Sequence, residues 1–236
     1  MRHVSYEEQT LDHPNPLARY AHRARLRLAL REAVVALPPG GVLLDFGAGQ
    51  GRFLHLLRGE LQKAERTSER LTGYDPFMQP AFPGVEVVSC VDQVAAGSVD
   101  CLTVLEVCEH LDEAETDELL ACAMRVLRPG GTLLVTVPIV IGPVILLKES
   151  ARMLLFRRWS DLSLGELVAC ALWGAVPRRA ESIKHSHRGY DWRITRQLLS
   201  SKIGPVKTAF SPFRWLGPWL NSQTLLTVRV IGRVET

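Results

Sequence analysis

Apolar residues recur at helical spacing from Leu17 to Leu37, with Tyr20, Leu26, Leu28, Leu30 and Val34 set among arginines, and the pattern stops at Pro38-Pro39-Gly40-Gly41. A short apolar run at 42–44 then leads into Asp45 and a glycine-rich turn. Beyond the turn, Phe53, Leu54, Leu56, Leu57 and Leu61 mark a second helix with one apolar face. Further runs at 71–74, 85–88, 99–105 and 132–137 predict strands, and Leu119, Leu120, Ala123 and Leu127 give a helix over 112–127 its buried side. Strands alternating with helices predict an α/β fold: a mostly parallel sheet with helices on both faces. Two late runs, 206–210 and 225–231, lack a long helix between them and predict an antiparallel pair at one sheet edge.

Residues 139–190 interrupt the alternation and read as an insertion. The chain is therefore expected to be one domain over 1–236: a helical segment at 1–40, a core at 41–138, the insertion at 139–190, and a carboxyl-terminal helix with a strand pair at 191–236. A length of 236 residues with 47% hydrophobic and 22% charged positions suits one large globular domain and excludes disordered or fibrous classes. The five cysteines, Cys90, Cys101, Cys108, Cys122 and Cys170, are scattered without a Cys-x-x-Cys pair, which predicts reduced thiols and a cytoplasmic setting. MRHVSYEEQT at the start has acids and no apolar stretch, unlike a secretory signal. The uncharged run 129–147 is long enough to span a bilayer, but its three glycines and three prolines predict a turn and a buried strand instead.

Net charge is only +3, yet no Lys or Arg lies between Arg70 and Arg125, a stretch with eleven acids. An acidic middle favours a cationic ligand there. The acids at 112–118 are assigned instead to a solvated helix face. Dispersed basic residues, without an aromatic stacking series, argue against a nucleic-acid partner.

VLLDFGAGQGRFL at 42–54 places Gly47, Gly49 and Gly51 on the turn between the first strand and its helix, where glycine lets a ligand approach the backbone. A nicotinamide dinucleotide fingerprint spaces its glycines G-x-G-x-x-G; here Arg52 holds the third small position. Asp45 would also repel a pyrophosphate and attract an ammonium group. The loop suits a cationic cofactor at the carboxyl end of the sheet.

These segments together resemble the class I S-adenosylmethionine-dependent methyltransferases over most of 38–137. DFGAGQG is similar to their first motif, GYDPF to the second-strand acid, SVDCLTVLEVCEHL to the fourth strand, and LRPGGTLLVTVP to the lead into the fifth. The resemblance implies a Rossmann-like, mostly parallel seven-stranded sheet with an antiparallel last strand, and S-adenosylmethionine as cofactor. It implies that Asp45, Gly47, Gly49 and Gly51 line the methionine moiety and that Asp75 accepts both ribose hydroxyls. Cys90 and Val91 fall near the adenine, with Asp92 more loosely aligned, and Ala48, Pro76, Leu105 and Glu106 join the cofactor-binding set.

Transfer of a methyl group to oxygen also requires removal of a proton, by a base or through a metal. Glu106, Glu109 and His110 stand three and four apart, on one face if the strand turns directly into a helix, and such a set suits Mg²⁺, Mn²⁺ or Zn²⁺. EVCEHL is similar to a stretch of the ubiquinone-biosynthesis O-methyltransferases and the small-RNA terminal 2′-O-methyltransferases, where these residues bind a divalent metal. There a later histidine completes the set; SHRGYDW offers His187, with His185 as substitute. Without a metal, His110 or His187 is the candidate base, and a purely structural role for the set stays open.

The insertion carries six basic and three acidic residues over 139–180 among Phe156, Trp159, Trp173 and other bulky side chains. It reads either as a cap whose apolar side covers the cleft or as a basic amphipathic element at a membrane interface. Phe213, Trp215 and Trp219 either line the substrate cleft or pack a turn between the late strands. The expected function is methylation of a hydroxyl on a small or lipid-linked molecule. The alternatives are a non-catalytic cofactor-binding or membrane-adaptor protein and a nicotinamide-dependent oxidoreductase.

Overall fold

A computed structural model describes residues 16–156, 159–179 and 188–230. Seven strands form one sheet: β1 (Val42–Phe46), β2 (Arg70–Tyr74), β3 (Glu86–Val88), β4 (Val99–Leu105), β5 (Leu127–Pro138), β6 (Val206–Ser211) and β7 (Gln223–Arg229). Their order is β3-β2-β1-β4-β5-β7-β6, and β7 alone runs against its neighbours. The mostly parallel sheet, its antiparallel last strand and the late edge pair all match the sequence reading.

Alternation along the strands explains why they read as continuous apolar runs. Leu43, Leu134 and Leu225 point to one face and share a core with α1 (Pro16–Ala36) and α2 (Arg52–Lys63). Leu44, Leu133 and Leu226, one residue along, point to the other and pack against α3 (Glu113–Val126) and the helix Trp192–Lys202. Both faces are buried, so no position in these strands needs to be polar. On α1 the buried stripe includes Ala29 and Ala33, while Tyr20 is exposed. Small residues there bring the helix close to the sheet, which the pattern of large residues alone did not indicate.

The ends of the elements follow from local chemistry. Asp112 accepts the Glu115 N–H and Glu115 accepts the Asp112 N–H, both at 2.9 Å, so the acid-rich stretch opens α3 with a reciprocal cap. Leu127, expected on that helix, caps it and starts β5. Arg128-Pro129-Gly130-Gly131 lies within β5 as an irregularity: Val99 pairs with Leu127, but Cys101 pairs with Thr132.

The insertion forms two helices, α4 (Val144–Phe156) and α5 (Leu164–Trp173), and the helix Trp192–Lys202 is therefore α6. Between α4 and α5 lies a small core of Ile145, Cys170 and Ala171, with Leu162 against it. The uncharged run 129–147 divides between β5 and the first turn of α4. Among the described residues no helix is long and apolar enough to cross a membrane.

Candidate active site

The chain goes outward from β1 to β2 and β3, then returns to place β4 on the other side of β1. The strand order reverses at the carboxyl ends of β1 and β4, the switch point outside which open α/β sheets hold ligands. Gly47 and Ala48 turn away from β1 by donating to the Tyr74 carbonyl at 2.8 and 3.0 Å. Gly47, Gly49 and Gly51 all have positive φ, at 77°, 54° and 85°.

Only one of the three glycines faces open space. A Cβ on Gly47 would lie 2.5 Å from Val107 Cγ2, and one on Gly51 would lie 2.4 Å from Val85 Cγ1. These two are glycines because protein atoms press on them. A Cβ on Gly49 meets nothing within 4 Å, so the backbone there is open to approach.

Asp45 is buried beneath this turn, and Thr103 Oγ1 donates to its Oδ1 at 2.6 Å. Burial pushes its carboxyl up to about 7; the Thr103 hydrogen bond opposes this and the Asp75 charge adds to it. Asp75, expected to hold the ribose hydroxyls, is also engaged by the backbone. Its Oδ1 accepts the N–H groups of Phe77 and Met78, and its Oδ2 accepts the Gly49 N–H, each at 2.9 Å. A carboxylate offers about four acceptor positions. One remains, on Oδ2, so Asp75 ties the glycine turn to β2 and keeps room for a single further donor.

Pro76 and Cys90 are exposed and Val91 is partly buried, all beyond the ends of β2 and β3. The Val91 carbonyl accepts Arg125 Nη2 at 2.8 Å. Asp92, also exposed, lies 3.7 Å from the same guanidinium.

At the end of β4, Leu105 is partly buried and Glu106 has φ 59°, a left-handed conformation strained for a side chain of this kind. Three elements hold its carboxylate: Arg25 of α1 at 2.5 Å, Gln223 of β7 at 3.0 Å and Thr136 of β5 at 3.1 Å. Val107, next along, packs on Gly47 and joins the two turns. Cys108–His110 form a 3₁₀ turn in which Glu109 is fully buried and His110 partly exposed. Neither Glu109 carboxyl oxygen has a hydrogen-bond partner. Burial first, then the Glu106 charge, raise its pKa well above the carboxylate range, against Arg25 and Arg179. Arg179 donates to the Glu109 carbonyl at 2.9 Å and lies over the Tyr190 ring, 5.4 Å from its centroid.

The expected metal set is corrected on this geometry. The i, i+3, i+4 spacing shares a face only in a helix; here a left-handed residue and a 3₁₀ turn follow the strand, and Glu106 is committed to Arg25, Gln223 and Thr136. Among the described residues, no three His, Cys, Asp or Glu side chains are gathered as metal ligands. His187 and His185 lie outside the described residues. Arg25, Thr103, Thr136, Arg179 and Gln223 are the site residues that sequence reasoning missed. Thr103 alone carried a local signal, a hydroxyl inside an otherwise apolar strand.

A family model described as a methyltransferase domain matches residues 17–169. The chain belongs to this family, and its fold is that of the class I S-adenosylmethionine-dependent methyltransferases. Similar solved structures include a SAM-dependent methyltransferase from Archaeoglobus fulgidus, at 12% identity and TM-score 0.52, covering 88% of this chain and 94% of that one. The 1,6-didemethyltoxoflavin-N1-methyltransferase of Burkholderia thailandensis, solved with its substrate and S-adenosylhomocysteine, is 20% identical with TM-score 0.53, covering 90% and 84%. Magnesium protoporphyrin IX methyltransferase from Synechocystis, with bound SAH, is 11% identical with TM-score 0.54, covering 92% and 88%. No curated protein matches the chain. The chain is thus a methyltransferase by family, with the fold of enzymes solved with S-adenosylhomocysteine, and neither the nicotinamide nor the non-catalytic alternative is favoured.

Proposed function

We propose that the chain methylates a hydroxyl group on a small or lipid-linked molecule. The observation that carries this reading is the Glu109–His110 turn: a buried carboxyl with neither oxygen engaged, next to a partly exposed imidazole, in contact through Val107 with the glycine turn. Removing a proton from a hydroxyl is the demand that distinguishes O-methylation, and a strained strand end bearing a raised-pKa carboxyl and a histidine suits it. S-adenosylmethionine supplies an activated methyl group on a sulfonium, whose displacement needs alignment more than further activation.

The chain's own residues fit that cofactor. Gly49 leaves open space at the backbone, Asp45 sets a carboxylate below the turn for a cationic amino group, and Asp75 Oδ2 keeps one acceptor position for a ribose hydroxyl. Cys90, Val91 and Leu105, near the ends of β3 and β4, are the residues assigned to the adenine. Glu106 acts as an organiser: its bonds to α1, β5 and β7 fix the turn that carries His110. His110 accepts the acceptor's proton.

The test is transfer of labelled methyl to a panel of phenols, catechols and lipid-linked alcohols, with the product linkage read by mass spectrometry. An O-methyl product with unchanged rate in chelator is expected, and His110→Ala should lower kcat about 100-fold with little change in KM. N- or C-methyl product, or a His110→Ala enzyme at full rate, refutes the assignment.

A further inference from the structure

Among the described residues, the helices of the insertion leave much apolar surface exposed. Inside the hairpin, Ile145, Cys170 and Ala171 form the small core already described; outside it, Leu154 (76% exposed), Trp159 (83%), Leu164 (79%) and Trp173 (71%) face solvent, as do Leu147 and Leu172. Leu147 and Leu154 are seven apart on α4, and Leu164, Val168 and Leu172 recur every four residues on α5, so each helix presents an outer stripe. A cap that covered the cleft would turn these residues inward.

The stripe continues beyond the hairpin. A side chain at Gly174 would meet the Trp219 ring at 3.7 Å, so the loop between β6 and β7 packs against the end of α5. That loop exposes Trp215, Trp219 and Leu220. Trp173 and Trp219 thus lie together, Trp159 and Trp215 are exposed as well, and the fifth tryptophan, Trp192, is buried. Exposed apolar surface of this extent marks an interaction site.

Charge selects the occupant. In sequence, Arg152, Arg157 and Arg158 stand among Met153, Leu154 and Trp159, with no acid from Ser150 to Ser160. Glu166, on α5, is already paired with Arg188 at 2.7 Å. A segment of that composition is repelled by a second copy of itself and attracted by anionic lipid headgroups, while tryptophan is the side chain that settles at the boundary between headgroups and acyl chains.

We propose that the outer face of α4 and α5, with the Trp215–Trp219 loop, docks on an anionic bilayer. The hairpin follows the carboxyl end of β5, the same sheet edge that carries Glu106 and the glycine turn, so docking sets the active-site crevice beside the membrane surface. Its consequence for substrate, a hydroxyl on a lipid-anchored molecule, rests on the methyl-transfer reading; the docking itself does not.

The experiment uses the full chain without methyl donor, so that docking and catalysis fail separately. It should co-sediment with vesicles of equal parts phosphatidylcholine and phosphatidylglycerol, more weakly with phosphatidylcholine alone, and brominated acyl chains should quench its tryptophan emission. The double variant Leu154→Ser/Trp173→Ser should lower the partition coefficient at least about tenfold while keeping the wild-type melting temperature. If the wild-type chain stays in the supernatant, or binds without quenching, the proposal is overturned. It is equally overturned if sedimentation equilibrium shows a dimer that the same double variant dissociates, since a second copy would then cover the face.

Discussion

Asp45→Asn separates the electrostatics of the site from its shape. Asn keeps the planar side chain and can still accept the Thr103 hydroxyl proton, but cannot ionise. The wild-type carboxyl is moved by burial from 3.8 to about 7. A folded-state pKa above the unfolded value means that its contribution to stability is fully present below pH 3.8 and is lost as pH rises toward 7. At about 1.4 kcal/mol per pH unit the loss reaches on the order of 4 kcal/mol by pH 8. Urea unfolding without ligand should therefore show the Asn variant gaining on wild type between pH 5 and pH 8, by about 3 kcal/mol. Binding should move the other way. An ammonium group favours the ionised carboxylate, so wild-type affinity for S-adenosylhomocysteine should rise with pH up to about 7 and that of the variant should stay flat. Parallel stability curves for the two proteins across this pH range would sink the assignment of Asp45 as a buried, proton-retaining carboxyl.

Three further outcomes test neighbouring claims. Gly49→Ala should cost about 1 kcal/mol of stability for its positive φ, yet abolish the thermal shift produced by S-adenosylhomocysteine, because the new methyl occupies the open space. Asp75→Ala should weaken calorimetric affinity by roughly 1 to 3 kcal/mol and also lower the melting temperature of the ligand-free protein, since three backbone N–H groups lose their acceptor; an unchanged ligand-free melting temperature would remove the turn-tying role. Arg25→Met leaves Glu106 with its buried charge uncompensated and should destabilise the chain by about 3 kcal/mol in denaturant titration, whereas a surface ion pair would contribute under 1 kcal/mol.

The sheet was legible because β4, β5 and β7 at its centre are largely buried on both sides and read as apolar runs, and because the turns carry glycine or proline. The glycine turn, Asp45 and the Glu106–His110 stretch were legible as a cluster, because each sits at a strand end. What they do there was less so. Gly47 and Gly51 answer to Val107 and Val85, neither of which is a sequence neighbour, and Asp75 spends most of its acceptor capacity on backbone. Arg25 and Gln223 lie 81 and 117 residues from Glu106, one inside a helix rich in arginines and one at the start of a strand. Nothing local distinguishes either. The metal reading failed for a related reason: it assumed helical geometry where the backbone takes a left-handed step that glutamate rarely adopts.

The placement of β7 between β5 and β6 has a consequence for biosynthesis. As the polypeptide leaves the ribosome, the outer border of β5 has no partner until residues 223–229 have been made, although the first five strands can already associate. During that interval an unsatisfied row of amides and carbonyls stands open to other nascent chains. Gln223, which completes the clasp on Glu106, arrives with the same segment. The Glu106–His110 turn thus acquires its final shape in the same late step that seals the sheet.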